Sequence, residues 1–459
     1  MSAPLLSTVE GNVTAQAHRK RALSLAVASS LLSKGGTMLL LLLAMPLAYN
    51  VLGAGRLGVY GALQSLMWLI GMSDFGVAAG LGRRLTIATS LNDRTEQARV
   101  MSTGFFVMTT VIGCMGLIGA GVLSFVPVEK LFGKSFGPFA DELLFNLWLS
   151  GGIFLSIMSV GILLKNREAN HEIHILNTFG AVGNVISALL LIFGIKYFPQ
   201  VWFLLVAIYG VQLLSFSLNA VISMKQRPWL IPRFSLFDRK LAGSLCVEGV
   251  AFFILVGITP ILGREFIRWL LGQYYTPEDV AHFTILAQMG FAFFGVIFMV
   301  TYPLGPALVD ASARHDYPWV RKTNRRLVSL WLAGLVTVPA GMALFGPWLV
   351  SVWFRKPIPL SSLQLGAYGL FLMLTIWTHI HCVLLAGLGR IKPAAVIAGA
   401  ECLVVCGLAW WGVKHYNMEG GLIGGSIGMA LTSFFLMPWL FRKSLRTMEA
   451  SHPSATEAS

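Results

Sequence analysis

Residues 68–85 read WLIGMSDFGVAAGLGRRL. The chain before this stretch is almost solidly apolar, yet Asp74 stands inside it. Three glycines follow, and then Arg83 and Arg84 side by side. An apolar run of about 20 residues is long enough to cross the roughly 30 Å hydrocarbon core as a helix. A carboxylate within such a run, with an arginine pair two to three turns further on, marks a helix that spans a membrane and has work to do inside it.

The rest of the chain agrees with this reading. Of 459 residues, 56% are hydrophobic and 12% charged, against about 25% charged in a soluble domain. The charges fall in short clusters between apolar runs, and those runs are solid rather than alternating, which excludes a membrane β-barrel. The expected class is an all-α polytopic membrane protein. Twelve spans are expected near 22–51, 57–82, 101–125, 143–164, 174–194, 201–223, 244–272, 280–308, 327–353, 362–386, 393–413 and 421–441, the seventh long enough to be broken or tilted. The first is too long for the apolar core of a signal peptide and should remain as an anchor. The five cysteines all fall inside spans, where they act as small apolar residues, so no disulfide is expected.

The net charge of +14 suggests nucleic acid until its distribution is considered. With the N-terminus placed inside, cytoplasmic segments hold 24 of the 34 Lys and Arg residues, outer segments hold 9, and Lys34 lies within the first span. The excess therefore follows the positive-inside rule. It puts both termini in the cytoplasm and makes the bilayer, not nucleic acid, the partner.

An internal repeat is suggested by landmarks 223 residues apart: Tyr60 with Phe283, Asp93 with Asp316, and Arg167 with Arg390. The expected organisation is a tail over 1–21, a six-helix bundle over 22–223, a basic linker over 224–243, a second six-helix bundle over 244–441, and a tail over 442–459. Two parallel bundles around a central cavity suit alternating access. Glycines four apart, at Gly76 and Gly80, Gly421 and Gly425, and Gly424 and Gly428, allow close helix approach.

Charge at mid-bilayer costs about 2.5–3.5 kcal/mol on insertion scales, so each such residue is a site candidate. Lys34, in LLSKGGTM, is either a cation lining the cavity or half of an ion pair with Asp74 or Glu248. Asp74, Glu248 and Glu401 are candidates for coupling to protons or Na⁺, because burial raises a carboxyl pKa. Arg264 and Arg268 sit four residues apart around Glu265. They can bind phosphate in bidentate fashion or anchor an aromatic belt with Trp269, Tyr274 and Tyr275. Arg83 and Arg84 fix a helix end and can meet an anionic headgroup. His379 and His381 point to different faces, so no joint metal site is expected. The GAGRLG run over 53–58 matches a dinucleotide-binding pattern but lacks the strand and βαβ unit that pattern requires. It reads as a tight turn. No cofactor or metal is expected, and the loops leave no room for an extramembrane catalytic domain.

The N-terminal region resembles the polysaccharide-exporting, Wzx-type flippases. The residues that carry the likeness are Pro46, Leu52-Gly53, Tyr60-Gly61 and Asp74-Phe75-Gly76 with Gly80-Leu81. TPEDVAHF, YPLGPALVDASARHDYPWVRK and LLAGLGRIKPAAV extend it into the second half. The resemblance implies the fold of the multidrug/oligosaccharidyl-lipid/polysaccharide superfamily, MATE-like, with two six-helix bundles. It also implies movement of an undecaprenyl-diphosphate-linked oligosaccharide across a bacterial inner membrane by a chain that is no enzyme, beside a polymerase and export machinery. On that reading Lys34, Arg264 and Arg268 serve the diphosphate, with Arg83 and Arg84 where the substrate arrives. A cation-coupled multidrug antiporter of the same superfamily is the second reading, and a clearly negative cavity would favour it.

Overall fold

The computed structural model describes residues 4–72, 76–252 and 259–451. The chain is helical almost throughout, and no strand occurs among the described residues. In order the helices are α1 (Pro4–Met72), α2 (Val77–Ser90), α3 (Arg94–Phe125), α4 (Val128–Phe132), α5 (Ala140–Ala169), α6 (Ile173–Gly194), α7 (Val201–Leu205), α8 (Val211–Gln226), α9 (Arg239–Phe252), α10 (Thr259–Tyr274), α11 (Pro277–Ala313), α12 (Tyr317–Phe354), α13 (Ser362–Gly387), α14 (Ile391–Leu431) and α15 (Ser433–Ser451). A π turn at Val206–Gly210 joins α7 to α8.

Nine helical stretches among the described residues are long and apolar enough to cross a membrane. Two of these are double. α1 breaks at Gly53, where φ 81° is open only to glycine at low cost, and both of its arms reach one cavity, at Ser33 and at Trp68. α14 breaks at Tyr416 and Asn417 and folds back on itself. α9 and α10 together occupy the expected seventh span, on either side of residues 253–258. The twelve expected crossings are thus accounted for. The second span is not one rod: α1 ends at Met72, and α2 starts after Gly76 in the left-handed region (φ 72°). Asp74 lies between them, outside the described residues, and the side chain of Glu248 lies outside them as well.

The repeat is visible in the turns. Asn92 and His315, 223 residues apart, are both left-handed (φ 54° and 58°). The next residues, Asp93 and Asp316, each cap a helix by accepting from the backbone N–H three residues on, at Glu96 (3.0 Å) and Trp319 (3.1 Å). Each also closes a six-to-one bond, to Ala88 and Ala311. The following pair of turns keeps the geometry but not the offset. The left-handed residues are His171 and Gly389, and Glu172 N bonds Arg167 O as Arg390 N bonds Leu385 O. The offset there is 218, so Arg167 corresponds to Leu385 and not to Arg390. The chain between the two turns is shorter in the second half, a change that side-chain landmarks do not reveal.

Glycine sets the closest packing. A Cβ on Gly424 would sit 2.4 Å from Leu408 O, and one on Gly428 would sit 2.8 Å from Val405 Cα, so the two arms of α14 meet backbone to backbone. Gly421 and Gly425 face Ile267 of α10. The two halves meet in a seam of the same kind: Gly58 abuts Pro277 O (1.9 Å from a built Cβ), and Gly133 abuts Gly272 O (1.9 Å). Trp269 Nε1 and Gln273 Nε2 of α10 donate to Leu131 O at 2.7 and 2.6 Å. This seam closes the face opposite the turns at 91–93, 170–172 and 314–316. The connection between halves, over 227–238, runs along α3: Trp229 Nε1 donates to Gln97 Oε1 (3.0 Å) and Arg99 pairs with Asp238 (2.7 Å).

Candidate functional site

Between the halves, behind the closed seam, lies a cavity of about 340 Å³. α1, α6 and the π turn with α8 form one wall, and α10 and α11 the other. The first wall carries no charge, and sets amides and hydroxyls among apolar residues such as Leu40, Leu41, Ile208 and Phe216. Asn177, Gly180, Asn184 and Ser187 follow one another on α6 at spacings of three and four, which is one helix face. Asn184 Nδ2 donates to Thr37 Oγ1 (2.9 Å) and to Ser33 O (3.2 Å) on α1. The π turn carries Tyr209 to the lining. Its hydroxyl accepts from Gln64 Nε2 (3.4 Å) and lies 3.4 Å from the Tyr60 hydroxyl. A π turn shifts the helix register by one residue, which re-aims a side chain and is frequent at functional sites.

The second wall carries the charge. Arg264 and Arg268 both border the cavity, one turn apart on α10, and Glu265 lies between them, fully buried (0% exposed). Glu265 Oε1 accepts from Arg264 Nε (2.8 Å) and lies 2.8 Å from its Nη2, and Oε2 lies 3.0 Å from Arg268 Nη1. Two cations sharing one acid leave the triad with a net charge of +1. The arginines differ in exposure. Arg264 keeps 16% of its side-chain surface, near the Trp68 ring (5.8 Å). Arg268 keeps 2%, and donates through Nη1 to Gly61 O (3.3 Å) and Gln64 Oε1 (3.1 Å) on α1. No carboxylate lines the cavity among the described residues. The aromatic alternative for this stretch concerns neighbouring residues: Trp269 is partly exposed at the seam, and Tyr275 donates to Val413 O (2.8 Å).

The other sequence candidates are dispersed. Lys34 is exposed and does not line the cavity, although its neighbour Ser33 does. Arg83 is exposed and Arg84 half-buried, on α2, and neither lines the cavity. Glu401 is buried away from it, between α13, α14 and α15. There Thr378 Oγ1 donates to Glu401 Oε2 (3.1 Å) and stands 2.8 Å from Ser433 Oγ. His379 lies 3.0 Å from Thr301 Oγ1, whereas His381 Nδ1 lies 2.9 Å from Trp377 O, so the two rings have separate partners.

Two features escaped the sequence reading. The uncharged wall is one, and its signal was the three-and-four spacing on α6. The other is a cluster at the turn after α5. Arg167, 1% exposed, donates to Glu172 Oε2 (2.6 Å), Asn219 Oδ1 (3.1 Å) and Gln226 Oε1 (2.9 Å). Arg227 pairs with the same Glu172 (2.5 Å). Burial alone would raise the Glu172 pKa, but hydrogen bonds from Arg227 and Arg167 outweigh it and hold the carboxyl below its ordinary value.

An apolar groove of about 1100 Å³ lies on the other side of the first arm of α1, between it, α11 and α12. Leu39, Leu43, Phe293, Val296 and Phe345 line it, with Asn50 and Arg355 also in its lining.

No protein-family profile matches the chain. A protein of Salmonella typhi named provisionally as an O-antigen transporter is 21% identical over 430 residues, 90% of this chain and 94% of that protein. A protein of Yersinia pseudotuberculosis named provisionally as an O-antigen export protein is 19% identical over 423 residues, 86% of this chain and 90% of that protein. Among solved structures, an inward-facing multidrug-resistance MATE transporter of the MOP superfamily superposes with a TM-score of 0.70, at 14% identity, over 90% of this chain and 96% of that one. Over most of its length the chain thus shares the MATE fold, an all-helical multi-pass membrane architecture of two six-helix bundles. In sequence it is similar to proteins named for O-antigen transport and export, the likeness expected of the polysaccharide-exporting, Wzx-type flippases.

Proposed function

We propose that the protein flips a diphosphate-linked lipid oligosaccharide, of the undecaprenyl-diphosphate type, across a bacterial inner membrane by alternating access. One observation carries the reading: the cavity between the halves has two arginines as its only charged lining among the described residues, facing a wall in which amides and hydroxyls stand among apolar side chains. A diphosphate needs cations with several donors, and arginine supplies them in a planar fork. A glycan needs uncharged donors and acceptors, which Asn177, Asn184, Gln212 and Gln288 provide. The apolar groove beside α1 suits the hydrocarbon tail.

On this reading Arg264 is the principal contact for the diphosphate. Lys34, Arg83 and Arg84 lie off the cavity and serve arrival from the cytoplasmic leaflet. Coupling to an ion gradient rests with Asp74, Glu248 and Glu401, of which Glu401 is buried in the second half, held by Thr378. Both termini face the cytoplasm, and a polymerase takes the product on the far side. The drug-antiporter reading calls for an acidic cavity to hold cationic drugs, and the arginine lining speaks against it. Deleting the gene tests the proposal. Lipid-linked repeat units should collect on the inner leaflet, and their normal appearance on the outer leaflet, with no second transporter present, would refute it.

A further inference from the structure

The two arginines of α10 are not equivalent. Arg264 retains exposure and presents its guanidinium to the cavity, whereas Arg268 is almost fully enclosed and reaches across the seam. Its bonds to Gly61 O and Gln64 Oε1 join α10, in the second half, to α1, in the first. The seam is tight at this level, since a Cβ on Gly61 would lie 2.1 Å from Thr284 Oγ1 of α11. Parting the halves here removes both α1 acceptors from a buried cation. Its remaining partner is Glu265, which Arg264 already holds through two nitrogens. The arrangement is also short of acceptors as it stands: Arg268 Nε is buried without a hydrogen-bond partner, and Glu265 Oε2 has none in good geometry. A buried charge stripped of acceptors is strongly unfavourable.

We propose that Arg268 is a latch across the seam, and that a phosphate-bearing anion seated on Arg264 releases it. The anion supplies the acceptors that Arg264 now draws from Glu265. Glu265 then turns wholly to Arg268, and the loss of Gly61 O and Gln64 is offset. With the cavity empty of anion, the halves stay shut on the face opposite the basic turns, so the protein does not cycle without cargo. Arg268 is a positioning residue and Arg264 the ligand contact. This rests on the reading of the cavity as a phosphate-binding transport site and adds its regulation.

The test uses the full chain in nanodiscs of neutral phosphatidylcholine, with the five native cysteines replaced. Spin labels go on Tyr197→Cys and Tyr274→Cys, at exposed positions on the two sides of the seam. Distances are read by double electron–electron resonance with and without inorganic pyrophosphate. The parent should show one short distance alone and a second, longer population with pyrophosphate. Arg268→Gln should show the longer population without any anion, and pyrophosphate should change it less than twofold. Arg264→Gln, which leaves Glu265 to Arg268 alone, should show the longer population without any anion, and pyrophosphate should change it less than twofold. Gln64→Leu, which keeps the charge and removes one acceptor, should open partly on its own and stands in if Arg268→Gln does not fold. Three results overturn the latch: a parent that pyrophosphate leaves shut, Gln64→Leu and any folded Arg268→Gln shut like the parent, or Arg264→Gln responding like the parent. The readout involves neither glycan nor lipid tail. These shifts without flipping of lipid-linked oligosaccharide would keep the latch and sink the substrate proposal, and flipping without these shifts would do the reverse.

Discussion

The two walls of the cavity are built from different chemistry. The wall from the first half is uncharged, and its amides and hydroxyls stand among apolar residues and bond across helices, as Asn184 does with the Thr37 hydroxyl and the Ser33 carbonyl. The wall from the second half concentrates charge on one turn of α10, where Glu265 offsets one of its two arginines. A hydrogen bond between neutral groups contributes about 0.5–1.5 kcal/mol, and one to a charged group about 1.5–3. On the proposed function the contrast implies a division of labour: affinity for the diphosphate from the second half, and selection of what accompanies the charge from the first.

Breaking the charged wall should have the largest effect. Arg264→Gln removes the exposed guanidinium, and loss of two charge-assisted bonds of about 1.5 kcal/mol each predicts a drop of more than a hundredfold in diphosphate affinity, measured by calorimetry. Arg264→Lys, which keeps charge but not the fork, should recover only part of it. The seam between the walls comes next. Gly58→Val places a side chain against Pro277 O, and overpacking of this kind costs about 1–3 kcal/mol. The closed state should lose population by roughly tenfold or more, seen as cross-linking across the seam that weakens.

The uncharged wall gives a smaller effect of a different kind. Asn184→Ala should lower flipping of a glycan-bearing lipid about fivefold, near 1 kcal/mol for one bond, and leave pyrophosphate affinity unchanged. An equal loss for both ligands would erase the proposed distinction between the walls. The smallest effect belongs to the turn cluster far from both walls. The folded Glu172 carboxyl lies below its ordinary 4.5, so its stabilising contribution is fully present above that value and is lost as pH falls through the lower folded one. Thermal stability of the parent should decline in that acidic window, and Glu172→Gln should flatten that part of the profile while leaving pyrophosphate affinity at neutral pH intact.

Much of the fold was legible because hydrocarbon imposes one rule on every span. Twelve apolar runs mark twelve crossings, and Asp93 and Asp316 announce helix starts by chemistry that needs no tertiary context. Arg264 and Arg268 were legible for the same reason, since charge in a span stands out. What could not be read depends on register and partners. The shift of the repeat from 223 to 218 changes spacing without changing composition. Asn184 and Ser187 look like ordinary polar residues of an apolar helix until α1 and α8 are placed beside them. Arg167 resembles every other topology-setting base until Asn219, Gln226 and Arg227 close around it. Lys34 shows the limit of the same rule: of its two expected roles, cavity cation or ion pair, the cavity lining holds its neighbour Ser33 and not Lys34.

The most direct measurement is flipping in proteoliposomes by the purified protein, with a short oligosaccharide on a polyprenyl diphosphate carrying a fluorescent tag on the sugar. A quencher confined to the outside reports which leaflet holds the tag. The parent should move the lipid between leaflets at a rate that Arg264→Gln cuts by at least tenfold. A parent no faster than empty vesicles, or an Arg264→Gln protein as fast as the parent, would contradict the account.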